Sequence, residues 1–206
     1  VTGSVYNISG NITLGSTGAE AASLVVNGGT VGDQASPENL AIGYNCPGVV
    51  ELYNGGTVYA GTVYGGRITN YSGTIIVSGG TLSSSSTIHL GYSAGSQSTC
   101  TLTDGTLASA GHLYVGYATN STGTLAISGG TVTVGQQFHI GGYGSNTGIV
   151  GRLDVVGSAG SISAHVKMNT TNRMYVYGAS SSTLGFTLDD SANHISCINA
   201  FYTDTD

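Results

Sequence analysis

The sequence predicts an all-β chain folded as a parallel β-solenoid, with three short strands in each coil of about 25 residues, and three observations predict it. The first is an internal repeat. Gly73-Thr74-Ile75-Ile76-Val77-Ser78-Gly79-Gly80-Thr81 returns as Gly123-Thr124-Leu125-Ala126-Ile127-Ser128-Gly129-Gly130-Thr131, with a degenerate copy ending Asp104-Gly105-Thr106 between them. Earlier copies end at Gly28-Gly29-Thr30 and Gly55-Gly56-Thr57, and a looser one runs from Gly151 to Ser158. The second observation is alternation: apolar residues come in pairs two apart, which places both on one face of a strand. The third is composition. Thirty-five glycines, two prolines, 39% hydrophobic and 7% charged residues fit many short strands and turns, and helical spacing is sustained nowhere.

Each element follows from the repeat. The first strand of a coil carries Leu24 and Val26, Val50 and Leu52, Ile75 and Val77, Cys100 and Leu102, Leu125 and Ile127, or Leu153 and Val155. Stacked coils turn these pairs into two inward columns. The Gly-Gly step then turns the chain, and a second strand begins on the next threonine, with Val31, Val58, Leu82, Leu107 and Val132 inward. The third strand carries Leu40 and Ile42, Ile88 and Leu90, Leu113 and Val115, Phe138 and Ile140, or Val166 and Met168. A coil of this kind cannot bury its own apolar side, so neighbouring coils must supply the stability. Parallel crossovers favour a right-handed coil. The chain reads as one domain over 1–206, with an N-terminal coil or cap at 1–23, main repeats at 24–177, and a C-terminal cap or docking segment at 178–206.

Leu113-Tyr114-Val115-Gly116-Tyr117 and the stretch Ser121-Thr122-Gly123-Thr124-Leu125-Ala126-Ile127-Ser128-Gly129-Gly130-Thr131 resemble the β-strand repeats of large bacterial surface and exported proteins. These include autotransporter-type passengers and proteins with sorting signals of the PEP-CTERM type. The resemblance covers roughly residues 20 to 170. It implies an exported solenoid serving as a stalk, adhesin or surface layer.

Charge narrows the partners. Ten acids against Arg67, Arg152, Lys167 and Arg173 give a net charge of −6, so no basic stripe exists to meet a nucleic-acid backbone. No apolar run approaches the roughly 18 residues of a membrane span. Few lysines among many Ser, Thr, Asn and Gly residues suit an extracellular or cell-surface location, reached after removal of any signal peptide.

The candidate site residues are aromatic. Tyr44, Tyr92 and Tyr117 share one repeat position, Arg67 takes it in the intervening coil, and Tyr143 is displaced by one residue. Such a ladder either stacks on sugar rings or packs between coils. His89, His112, His139 and His165 project from one face and zigzag across coils, too far apart for a common metal ion, and are expected to be solvated. Cys100 occupies an aliphatic column and is expected to be a small buried hydrophobe. Cys46 and Cys197 leave a disulfide open. Thr30, Thr57, Thr81, Thr106 and Thr131 form a single threonine column without the second one that a flat ice-binding face needs. Glu20, Asp33, Glu38, Glu51, Asp104 and Asp154 are scattered through turns and outer faces, whereas β-helix lyases and hydrolases need clustered carboxylates or calcium.

The expectation from sequence is therefore a non-enzymatic extracellular structural or adhesive module without a cofactor. It would associate through its ends or edges into a fibre or array, with a glycan or other cell-surface partner as the alternative use.

Overall fold

A computed structural model describes residues 5–6, 10–16, 20–141, 146–156, 161–168, 173–177 and 202–203, with the backbone alone for Val5–Tyr6 and from residue 155 onward. It is a parallel β-solenoid. Every strand pairs in parallel with the equivalent strand one coil away, and the described residues contain no helix. The alternating apolar pairs make this outcome necessary, because each pair is buried only when the next coil places its own pair alongside.

Three strand columns run along the stack. The first joins Ala22–Asn27, Gly48–Tyr53, the leading half of Ser72–Ser84, the leading half of Gln97–Ser109, Thr122–Ile127, Val150–Val156, Arg173–Tyr177 and Tyr202–Thr203. The second starts at Val5–Tyr6 and passes through Thr30–Val31 and Thr57–Ala60 to the trailing halves of the two long strands, then to Thr131–Ile140 and Ser161–Met168. The third joins Ile12–Leu14, Leu40–Ile42, Val63–Gly65, Ile88–Leu90 and Leu113–Val115, and continues into the ends of Thr131–Ile140 and Ser161–Met168.

The register is the one the repeats predict. Leu24 faces Val50, then Ile75, Cys100, Leu125 and Leu153 in turn. From Val50 to Leu153 these side chains are fully buried, and Leu24 packs partly buried against them. Val63–Gly65 is a third strand that the alternation rule misses, because Gly65 stands where other coils carry Ile, Leu or Val. The glycine is required there: a Cβ would run into the side chain of Ser98, itself buried and donating to the Gly73 carbonyl at 2.9 Å.

In the central coils the first two strands are one bent strand. Ser72–Ser84 and Gln97–Ser109 each run through the Gly-Gly or Asp-Gly step, and the ladder absorbs the bend as register shifts between Leu102, Asp104 and Gly105. Gly79 and Gly105 sit at φ of +83° and +95°, so the backbone bends without leaving the ladder. In these two coils the expected break is therefore a bulge, whereas at Gly28-Gly29, Gly55-Gly56 and Gly129-Gly130 the strands separate as expected.

At the start of the chain, Val5–Tyr6 and Ile12–Leu14 already belong to the second and third columns. Of the segment 178–206 only Tyr202–Thr203 lies within the described residues, paired with Tyr175–Val176.

Candidate functional site

The third strands have an outward residue between their two inward ones. Pairing aligns Thr13, Ala41, Tyr64, His89, Tyr114, His139 and Lys167 at that position in successive coils. From Tyr64 to His139 the rings stack. Tyr64 and His89 have centroids 5.6 Å apart and planes 6° apart, His89 and Tyr114 are at 5.0 Å and 10°, and Tyr114 and His139 are at 4.6 Å and 21°.

A second column flanks the first. After each third strand a glycine takes a left-handed conformation, Gly43, Gly66, Gly91 and Gly116 at φ between +67° and +81°, and turns the next side chain back over the strand face. Those side chains are Tyr44, Arg67, Tyr92 and Tyr117. Tyr92 and Tyr117 lie parallel at 5.8 Å, and the guanidinium of Arg67 sits over Tyr92 at 4.9 Å and over Tyr64 at 4.6 Å. The columns interlock edge to face: Tyr92 meets Tyr64 at 4.6 Å and His89 at 5.0 Å, while Tyr117 meets His89 at 4.6 Å and Tyr114 at 4.9 Å. Stacked contacts along each column and edge contacts between them are the two arrangements the ring quadrupole favours.

Burial changes the reading of the histidines. His89 and His139 are 8% and 2% exposed, so neither is solvated. Tyrosine rings from adjacent coils cover them, a partnership hidden when the histidines are compared only with one another. The imidazole of His89 is pushed down to about 3, first by burial, then by the neighbouring charges of His112 and Arg67. It is a neutral ring at physiological pH. His112 is half-buried and touches Tyr114 at 5.5 Å and His139 at 5.7 Å. His165 lies on a strand described by its backbone.

Among the tyrosines singled out from sequence, Tyr92 and Tyr117 are half-buried inside this seam. Arg67 covers one face of Tyr92 and Tyr117 the other, so the ladder is interlocked packing and not an open platform of ring faces. Tyr44, at 36% exposure, lies beyond the stacked part. Tyr143 lies outside the described residues. Tyr64 and Tyr114 were the functional-looking residues that the sequence reading missed, although residues 64, 89, 114 and 139 are spaced at the repeat period.

At the N-terminal end the seam stops. Ala41 and Thr13 occupy the two rungs before Tyr64, and Ser16 precedes Tyr44 in the flanking turns. A groove of about 540 Å³ opens there, lined by Asn11, Thr13, Asn39, Ala41 and Ser16, with Tyr44, Tyr64 and Arg67 along its aromatic side.

The other candidate groups are structural. Cys100 is fully buried in the aliphatic column, and burial pushes its thiol up to about 12. Cys46 is a free buried thiol, and Cys197 lies outside the described residues. Asp154 pairs with Arg152 at 2.7 Å, while Glu51 accepts from Tyr53 at 3.2 Å. The threonines at positions 30, 57, 81, 106 and 131 align in register, each half-buried.

Compared with protein-family models, curated proteins and solved structures, the chain matches none. Its own geometry has to carry the functional reading.

Proposed function

We propose that this chain is a non-catalytic structural or adhesive module of an exported surface protein, a solenoid whose role is to hold a shape and present its faces. The observation that supports this reading most is the aromatic seam. The face richest in residues able to do chemistry uses them for packing: His89 is neutral, buried, and held between Tyr64 and Tyr114. An imidazole in that setting braces adjacent coils and is poorly placed to exchange protons with a substrate.

The low charge and the Ser-, Thr- and Gly-rich outer faces agree with an extracellular location, and the resemblance to bacterial surface repeats points the same way. A solenoid also ends in coils whose outer ladder edge can accept a further strand, which gives the module a route to end-to-end association.

Electron microscopy of the purified chain over rising concentration tests the proposal. The expected result is end-to-end oligomers, fibres or sheets. Discrete particles at every concentration, together with turnover of a polysaccharide that disappears when a single acid is replaced, would overturn it.

A further inference from the structure

We infer that the groove at the N-terminal end of the aromatic seam is a binding site for an acidic saccharide, one pyranose ring taking the place where the ladder lacks side-chain rings. The inference goes beyond the structural role and does not rest on it.

Shape gives the first argument. Rungs of a parallel stack are about 4.8 Å apart, and a ring fills each rung from Tyr64 to His139. At the next two rungs stand Ala41 and Thr13, so among the described residues no side-chain ring follows Tyr64 on that side; the Arg67 guanidinium lies over the Tyr64 ring at 4.6 Å, and the exposed ring bordering the gap is that of Tyr44. The groove of about 540 Å³ falls within the usual range for small-ligand sites, about 300 to 1,000 Å³. The C–H face of a pyranose stacks on tyrosine much as another ring does.

Polar chemistry gives the second. Among the described residues lining the groove, Arg67 is the sole charged one and none carries a carboxylate. Its guanidinium is held between Tyr64 and Tyr92 by ring contacts and forms no ion pair among the described residues. A planar guanidinium fixed in this way suits a carboxylate. The side-chain carbonyl of Asn39 accepts from the Thr62 amide at 2.8 Å, and that of Asn11 accepts from the Asn39 amide at 3.3 Å. Both side chains are thereby fixed with their NH2 groups left to donate. Thr13 and Ser16 add hydroxyls. One cation, two oriented amides and two hydroxyls beside an aromatic wall match a ring bearing one carboxylate and several hydroxyls. A polyphosphate would need more than one cation, and the described lining residues supply one.

The test is calorimetric titration of the full chain with three probes: tri-galacturonate, the neutral galactose trisaccharide, and benzoate. Tri-galacturonate should bind at least tenfold more tightly than either of the others. Arg67→Gln should remove that preference. Ala41→Tyr, which places a ring on the vacant rung, should abolish binding while circular dichroism keeps its β signature; if that variant does not fold, Tyr44→Ala should weaken binding at least fivefold. No binding of tri-galacturonate, equal binding of the neutral trisaccharide, tighter binding of benzoate, or affinity unchanged in both Arg67→Gln and the folded groove variant would overturn the inference. Fibre formation is measured separately, so failure of this site and failure of the structural reading remain distinguishable.

Discussion

Single residues in this solenoid act through two neighbours, the equivalent residues one coil before and one coil after. Ile127 is 1% exposed and pairs with Leu102 on one side and Val155 on the other. Ile127→Asp would place an unpaired carboxylate in the aliphatic column, and a loss of about 4 kcal/mol or more is expected from thermal or denaturant unfolding. His89 behaves differently because it titrates. Its folded-state value of about 3 lies below the ordinary 6.5, so on acidification the unfolded chain takes up the proton first. The stability held by the neutral ring is thus complete above about pH 6.5 and is lost as pH falls toward 3. Between pH 7.5 and pH 5 the loss should reach about 2 kcal/mol. His89→Tyr, which keeps a ring between Tyr64 and Tyr114, should flatten that dependence in melting curves recorded across this range. Sequence alone located His89 on the outward face of its strand, but exposure there depends on rings contributed by other coils.

At the scale of the element, the turns after the third strands decide whether the seam forms. Gly43 lies at φ +75°, and a Cβ on it would collide with the backbone carbonyl of Ser72. Gly43→Ala should therefore cost about 1 to 3 kcal/mol and turn Tyr44 away from its place beside the groove, with melting temperature and tri-galacturonate affinity as the two readouts. The Gly-Tyr or Gly-Arg step was legible as a repeat position, and its glycine as a turn. The Gly-Gly step separates two strands at Gly28-Gly29, Gly55-Gly56 and Gly129-Gly130, as the repeat predicts, and is a bend inside a continuous strand in Ser72–Ser84 and, as Asp-Gly, in Gln97–Ser109. Both outcomes follow from the same freedom at positive φ; the difference is that the neighbouring coil bends at the same place, Gly80 beside Gly105, and keeps the ladder paired. Buried serines close the corners. Ser84 donates to the Gly61 carbonyl at 2.6 Å and Ser109 to that of His112 at 2.8 Å, so these polar side chains are buried without losing hydrogen bonds.

For the whole molecule, stability should behave as a sum of coil-to-coil contacts, because each coil touches mainly its two neighbours. Ser84 pairs with Ser109, so deleting residues 85–109 joins Ser84 to Ala110 and removes one complete period without shifting any register. That variant should keep its β-type circular dichroism and melt several degrees lower. Deleting residues 97–109, which removes two strand segments and leaves the third, should instead abolish cooperative unfolding, because the following strands lose their partners and their apolar faces turn outward. The deletion also bears on the seam: with His89 gone, Tyr64 and Tyr114 become neighbours, and ring stacking continues.

By itself the sequence determined the fold class, the period, the three strand columns and nearly every inward residue. Those features repeat locally, and a strand's two faces are distinguished by its own alternation. Only the tertiary structure decided what the outward residues do. Their surroundings come from equivalent positions one coil away, about 25 residues along the chain, and from the turn that brings a second column over the first. That is why Tyr92 and Tyr117 are interlocked while Tyr44 borders a groove, although all three follow the same glycine in the repeat. It is also why the groove itself could not be read from any one coil: it exists because Ala41 and Thr13 are small beside the ring of Tyr64, a contrast between successive coils that becomes a space only when they are stacked.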